Sequence, residues 1–310
     1  MSSHHHHHHH HHPVSTGDGN GRLTKIFLWG ILLNCVYVAF EAVFGLYFDS
    51  MGLLSDAGHN LSDVAALLLS LFAVTLLKKK STSRFTYGYS KATILISLLN
   101  AVILLVAVVF IIKESVEKII HQESVNGMGV AVIAAVGVVI NGLTMMFFRH
   151  DHKHDLNVKG AYLHMMADAL VSVGVVVSGI IIYFTGWNIV DPIIGIVVAV
   201  VIVISSWNLL LESVRLALDA VPENISVSHV KEAVSSIKGV KDIHHVHIWA
   251  LSTTENALTA HVKIDEGSEA SIIKHQIKEL LSNENITHST VELEMATESC
   301  CDSEHNKCNM

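Results

Sequence analysis

The sequence predicts an α-helical membrane protein with six transmembrane helices, followed by a C-terminal cytoplasmic α+β domain. Three observations carry this. Hydrophobic residues make up 51% of the chain and charged residues only 15%, whereas a soluble domain is about one-quarter charged. Six apolar stretches of bilayer-spanning length fill the first two-thirds of the chain. After about Arg215 the pattern changes to short amphipathic segments.

The polar N-terminal segment, residues 1–22, carries nine consecutive histidines, His4 to His12. Two readings stand, an expression tag or a native His-rich metal-capturing arm. Both place it outside the fold, and it does not read as a cleavable signal peptide. The membrane part, residues 23–215, divides into Thr24–Phe44, Leu53–Leu77, Lys91–Ile112, Val130–Phe148, Val158–Phe184 and Pro192–Leu211. The fourth stretch is interrupted only by Gly137, Asn141 and Gly142. The sixth opens on Asp191-Pro192, a favourable helix start because proline is tolerated in the first turn.

Lys and Arg in the connections set the orientation. The second-to-third connection carries Lys78, Lys79, Lys80 and Arg84, and the fourth-to-fifth carries Arg149, Lys153 and Lys159. The first-to-second and fifth-to-sixth carry none, while Lys113 and Lys118 between the third and fourth are a partial exception. The positive-inside rule then places both termini in the cytoplasm.

In residues 216–296, Ile225–Ile237 reads as an amphipathic helix, with Val230, Val234 and Ile237 at helical spacing. Asp242–Leu251 and Ala257–Asp265 read as strands; in the second, Leu258, Ala260, Val262 and Ile264 alternate with Thr259, His261 and Lys263. Ala270–Leu281 is a second helix. Ser289–Met295 is a third strand in which Val291, Leu293 and Met295 alternate with Thr290, Glu292 and Glu294. The order αββαβ makes a small α+β domain, whose modest core would gain from a partner subunit.

The four cysteines form no spaced disulfide framework. Cys35 lies in an apolar run, while Cys300, Cys301 and Cys308 crowd the tail, residues 297–310. The tail reads as reduced thiols able to bind metal, or as a disordered end with incidental cysteines. A net charge of −8 without a basic patch sets nucleic acid aside.

Inside the second and fifth apolar stretches stand two spacings with the same residue order, His59-x-x-x-Asp63 and His164-x-x-x-Asp168. Residues four apart share a helix face. Asp56, His59, Asn60 and Asp63 form one narrow polar stripe on a Leu/Ala/Val helix. A charged group at membrane depth costs about 2.5–3.5 kcal/mol on insertion scales, so such stripes face a bundle interior or a water-filled path. One reading is a pair of mutually satisfied His–Asp hydrogen bonds that fix helix packing. The other is a single Zn²⁺ held by two imidazoles and two carboxylates, a set of charge −2 that the ion neutralises. Four protein ligands leave no open position for a catalytic water, and no general base stands as in a His-Glu-x-x-His enzyme.

At these residues the chain resembles the cation diffusion facilitators, in their zinc-transporting branch, over Leu23 to Met295. The motif that carries the resemblance is Leu53-Leu54-Ser55-Asp56-Ala57-Gly58-His59-Asn60-Leu61-Ser62-Asp63. Supporting matches are Asn34, Glu41, Arg84-Phe85-Thr86-Tyr87-Gly88-Tyr89, Asp191-Pro192 and His244-His245-Val246-His247-Ile248-Trp249. The resemblance implies a six-helix membrane domain, a metallochaperone-like (ferredoxin-like) cytoplasmic domain, and a homodimer in the bilayer that exports divalent metal in exchange for protons. It implies a transport site of His59, Asp63, His164 and Asp168. Relatives with Asp in place of the first histidine choose metals more loosely, so His59 marks a zinc-selective version, with cadmium and cobalt left open.

The resemblance further implies regulatory Zn²⁺ in the cytoplasmic domain, with His244, His261, His288 and Glu294 as candidate ligands and His244 not separable from His245. Histidines on a solvated strand face are the plain alternative. Cys300 and Cys301 could extend that site. His150, His152 and His154 lie where relatives carry metal-feeding loops, or form a solvated mixed-charge loop. Lys91 and Asp219 sit where relatives place an interlocking salt bridge between the two domains. The expected function is therefore a proton-coupled zinc exporter rather than an enzyme. A membrane zinc sensor that binds without transporting is the alternative. A bacterial inner membrane is expected, with a vesicle membrane as the other possibility.

Overall fold

A computed structural model describes residues 16–47, 51–121, 127–153, 155–295 and 297; the side chains of 16–20, 41, 44, 45, 47, 51–59, 62, 114, 121, 127–130 and 191 lie outside that description. Six long helices come first: α1 (Thr16–Tyr47), α2 (Met51–Leu76), α3 (Ser90–His121), α4 (Gly127–Phe148), α5 (Leu156–Thr185) and α6 (Val190–Ala217). Over their described residues, α1 and α3 to α6 are long and apolar enough to cross a membrane; in α2 the described apolar stretch is Asp63–Leu76. Helix α3 runs nine residues past the expected end, so Lys113 and Lys118 stand on its last turns rather than in a connection. There Lys113 pairs with Glu117 one turn on, at 3.5 Å.

The bundle is inverted relative to a soluble protein. Large apolar side chains face outward, among them Leu28, Trp29 and Leu32 on α1 and Leu95, Val106 and Phe110 on α3. Polar and small ones face inward, including Asn34, Ser70, Ser97, Asn100, Asn141, Thr144, Ser206 and Ser213. Lipid solvates the first set, while the second must find partners inside the bundle. Helix α5 is central and packs on α2, α3, α4 and α6. Close approach to α6 depends on Gly174, where a Cβ would come within 2.7 Å of Ile194 Cγ2.

Asp155 caps α5 at its start, accepting from the Asn157 N–H at 2.7 Å. Gly186, in the left-handed region at φ 69°, ends it and donates back to the Ile182 carbonyl.

The soluble domain follows as α7 (Val227–Ser235), β1 (Val240–Ala250), β2 (Asn256–Ile264), α8 (Ala270–Asn283) and β3 (Ile286–Met295), the αββαβ order. The sheet runs β1-β2-β3, with β1 antiparallel and β3 parallel to β2. Leu258, Ala260, Val262 and Ile264 pack against Val230 and Val234 of α7 and Ile273, Ile277 and Leu281 of α8. The expected alternation of β3 holds in register, but burial departs from it at the end: Glu294 is buried and Met295 is 43% exposed.

The two domains are sewn together at one end of the bundle. The Thr253 N–H donates to Thr93 Oγ1 of α3 at 3.2 Å, and Asn157 Nδ2 of α5 donates to Thr253 Oγ1 at 3.4 Å. Ala250 shares an apolar cluster with Ile94, Leu156, Leu209 and Leu216. Lys91 at the start of α3 pairs with Asp219 beyond α6 and donates to the Leu216 carbonyl at 3.3 Å.

Candidate metal centre

Helices α2 and α5 bring Asp63, His164 and Asp168 together in the bundle interior, all three buried. His164 Nε2 lies 2.8 Å from Asp63 Oδ1 and 3.9 Å from Asp168 Oδ2. One ligand atom from each residue can be chosen so that all lie within 4.8 Å of one another. Tetrahedral ligands at about 2.1 Å from Zn²⁺ stand about 3.4 Å apart, between the two separations. His59 lies within α2 one turn before Asp63; its side chain is outside the described residues. The four-residue spacing puts its position on the Asp63 face.

The site has a supporting frame. Asn34 of α1 donates through Nδ2 to the Gly30 carbonyl at 2.9 Å and Thr144 Oγ1 of α4 at 3.3 Å, and touches Met165 Sδ, the neighbour of His164, at 3.8 Å. This ties α1 and α4 to the segment that carries the imidazole. Asn100 of α3 donates to Ser70 Oγ of α2 at 2.6 Å. Neither Asn100 nor Ser70 was singled out in the sequence, where each is one polar residue in an apolar run. Their only signal there was the cost of burying an amide or hydroxyl without a partner.

A second cluster lies on the open face of the small sheet. Register sets His244 opposite His261, and the 292 and 294 positions share that face. His261 Nδ1 is 2.8 Å from Glu294 Oε1, and His244 Nε2 is 3.4 Å from Glu294 Oε2. The last two atoms are buried and make no hydrogen bond among the described residues. Two orphaned donor atoms at a tetrahedral separation fit a divalent metal. Asp242 and Glu292 flank the pair, 3.0 Å from His244 Nδ1 and 3.7 Å from His261 Nε2.

The backbone gives His244 and His245 different settings. A register shift between His244 and His247 puts His245 at φ 52°, and it is His244 that faces Glu294. The His245 ring packs on His261 with centroids 5.0 Å apart. His288 is not brought to this cluster. It pairs with Ala257 near the opposite end of β3, roughly 20 Å along the strand from Glu294 at 3.3 Å per residue. There its ring meets Tyr87 edge-on at 5.3 Å.

The other candidates are local or undescribed. His150 is exposed. His152 stacks on Tyr162 at 4.4 Å, with Nδ1 2.7 Å from the Arg149 carbonyl. His154, Cys300 and Cys301 lie outside the described residues. Cys35 is a free thiol on the outer surface of the bundle.

Residues 27–216 match the model of the cation efflux transmembrane domain, and residues 222–296 match that of the cation efflux protein cytoplasmic domain. The chain belongs to the cation efflux family. Similar members include the cadmium, cobalt and zinc/H(+)-K(+) antiporter of Bacillus subtilis, 35% identical over 88% of this chain and 90% of that one. The metal cation efflux system protein CzcD of Cupriavidus metallidurans is 34% identical over 90% of this chain and 88% of its own length. The zinc transporter ZitB of Escherichia coli is 33% identical over 89% and 88%. As a cation efflux protein, the chain is a multi-pass membrane transporter of divalent metal rather than an enzyme, and its second domain is of the dimer-forming type.

Proposed function

We propose that this protein is a homodimeric Zn²⁺/H⁺ antiporter that exports zinc from the cytoplasm through a site of His59, Asp63, His164 and Asp168. The observation that carries this is the meeting of Asp63, His164 and Asp168 inside an inverted bundle. The cost of two carboxylates at that depth calls for a cation, and the donor set suits zinc. The side bearing the soluble domain is the cytoplasm, consistent with Lys78, Lys79, Lys80 and Arg84 on that side.

Zn²⁺ binds deprotonated ligands on the cytoplasmic side. Motion of α2 and α5 against the rest then exposes the site to the far side. Protons arriving there compete for imidazole and carboxylate, so metal affinity falls as pH falls. The same protons neutralise the empty site for its return, and no bare charge of −2 crosses a low-dielectric region. The antiporter named among the relatives supports this coupling. His244, His261 and Glu294 hold a further Zn²⁺ that stiffens the soluble domain when metal is plentiful.

The test is metal uptake into proteoliposomes. Wild-type protein should move zinc at a rate that depends on the pH gradient, and Asp168→Ala should not. Zinc bound without flux would favour a sensor, and flux indifferent to pH would count against proton exchange. Running cadmium, cobalt and manganese alongside reads the selectivity.

A further inference from the structure

His164 stands between two small cavities of unlike chemistry. The one toward the soluble domain, about 10 Å³, is lined by Ser70, Asn100, Gly160 and His164 among others. It has room for about one water. The one beyond it, also about 10 Å³, is lined by Leu104, Val108, Ile111 and Ile202 together with His164 and Asp168. Among the described residues, the first therefore adds polar groups to the site and the second adds only hydrocarbon.

Ser70 and Asn100 are both buried. The amide spends its Nδ2 on Ser70 Oγ at 2.6 Å. Its Oδ1 is buried and makes no hydrogen bond among the described residues. An orphaned buried acceptor is uncommon and calls for an account. Gly160 keeps the space open: a Cβ there would come within 3.7 Å of Asn100 Cβ and 3.9 Å of Nδ2, so a longer side chain would fill the cavity.

We infer that Asn100, supported by Ser70, is a transit ligand on the soluble-domain side, an oxygen that the metal ion touches on its way to and from His164 without residing there. This rests on the transport-site reading above. A cavity that admits one water does not admit a hydrated divalent ion, so the ion must exchange waters for protein oxygens as it passes. An amide oxygen and a hydroxyl can accept it without adding charge. Both are weaker zinc donors than imidazole and carboxylate, so the ion is handed on rather than held. Among the described residues lining the far cavity, Asp168 supplies the side-chain oxygen, and no neutral oxygen relay stands beside it. Asn100 thus lowers the barrier to ion passage by direct contact, and its loss raises that barrier in both directions without changing the depth of the well.

The experiment uses the full chain in lipid nanodiscs, on a His244→Ala/His261→Ala background with His4 to His12 replaced by serine, so that zinc captured by these histidines does not mask the membrane site. Zn²⁺ association and dissociation rates are followed by stopped flow with a fluorescent indicator, and Kd by titration. Asn100→Leu and Ser70→Ala should slow both rates at least fivefold and keep Kd within twofold, while Asn100→Ser, which retains an oxygen, should recover much of the rate. Unchanged rates would overturn the inference. So would a tenfold weaker Kd with association intact, since that marks a resident ligand or a packing defect. If Asn100→Leu does not fold, Ser70→Ala decides the matter by the same criteria. Asp168→Asn separates the two levels. If it binds Zn²⁺ as wild type does, the transport-site reading fails and the inference fails with it. If it loses binding while Asn100→Leu and Ser70→Ala keep wild-type rates, the inference alone fails.

Discussion

His164 Nε2 lies 2.8 Å from Asp63 Oδ1, although 101 residues separate them in the chain. One side chain belongs to α2 and the other to α5, so their contact measures how those helices sit against each other. A binding site split between two helices changes shape whenever either one slides or tilts. That makes it a natural place to couple ion occupancy to a change of access.

Asp63→Asn and Asp168→Asn keep side-chain size and remove one negative charge each. We expect either to weaken Zn²⁺ binding at the membrane site by about 10²-fold or more, on the scale of losing a coordinating group. Without metal, neither should lower thermal stability, because removing a buried carboxylate relieves desolvation and like-charge repulsion. Calorimetric titration and thermal unfolding of the same samples check both halves.

Zinc binding by His244, His261 and Glu294 should stabilise the soluble domain through linkage, by about 2.7 kcal/mol at a free metal concentration 100-fold above Kd. On an Asp168→Asn background, which weakens the membrane site, Glu294→Ala removes the residue that faces both histidines and should abolish the zinc-dependent rise in melting temperature that remains in the full-length protein. His288→Ala, at the far end of β3, should leave it intact. A thermal-shift series with and without a chelator measures this.

Asp155 bears on pH dependence outside the spanning helices. Burial pushes its carboxyl above the ordinary range, against hydrogen bonds from Asn157, Thr253 and Val158 that pull it down. The folded state therefore holds this proton more tightly than the unfolded state, and the contribution to stability declines as pH rises through the folded pKa. Asp155→Asn can still cap α5, since Asn and Asp are comparable N-caps. We expect it to remove that decline, and so to gain on the wild type toward neutral pH while matching it in acid. Melting temperatures of both proteins across the pH range read the difference.

The Lys91–Asp219 pair is expected to lock the soluble domain to the bundle and to support dimer assembly. The side chains are 43% and 63% exposed, so the pair itself is worth less than about 1 kcal/mol and weakens with salt. Lys91→Ala should shift the dimer toward monomer, more so at low protein concentration, while Zn²⁺ affinity at the membrane site stays the same. Mass photometry in nanodiscs gives the assembly, and unchanged assembly removes the interlock role.

The helices were legible in the sequence because a bilayer imposes length and polarity on each stretch separately. The strands of the small domain were legible through their two-residue alternation, but the burial of Glu294 was not. An acidic residue in an alternating strand reads as solvent-facing until His244 and His261 are seen to cover it. The placement of His244 ahead of His245 depends on a backbone irregularity with φ 52°, which no spacing rule announces. The family resemblance grouped His288 with Glu294, whereas strand geometry holds the two far apart. Asn100 is one of several polar residues in a mostly apolar helix, and its setting emerges only where Ser70, Gly160 and His164 line a cavity with it.

The sequence by itself determined the inventory: apolar runs long enough to span, two His-x-x-x-Asp faces within them, and a soluble domain of the αββαβ order. These are local properties, because helix period, strand period and hydropathy act over neighbouring residues. Only the tertiary structure decided which faces meet. The rotation of each helix about its axis follows from close contacts such as Gly174 against Ile194, and strand pairing set which histidines share a carboxylate. Such contacts join residues far apart in the chain, beyond the reach of any local period.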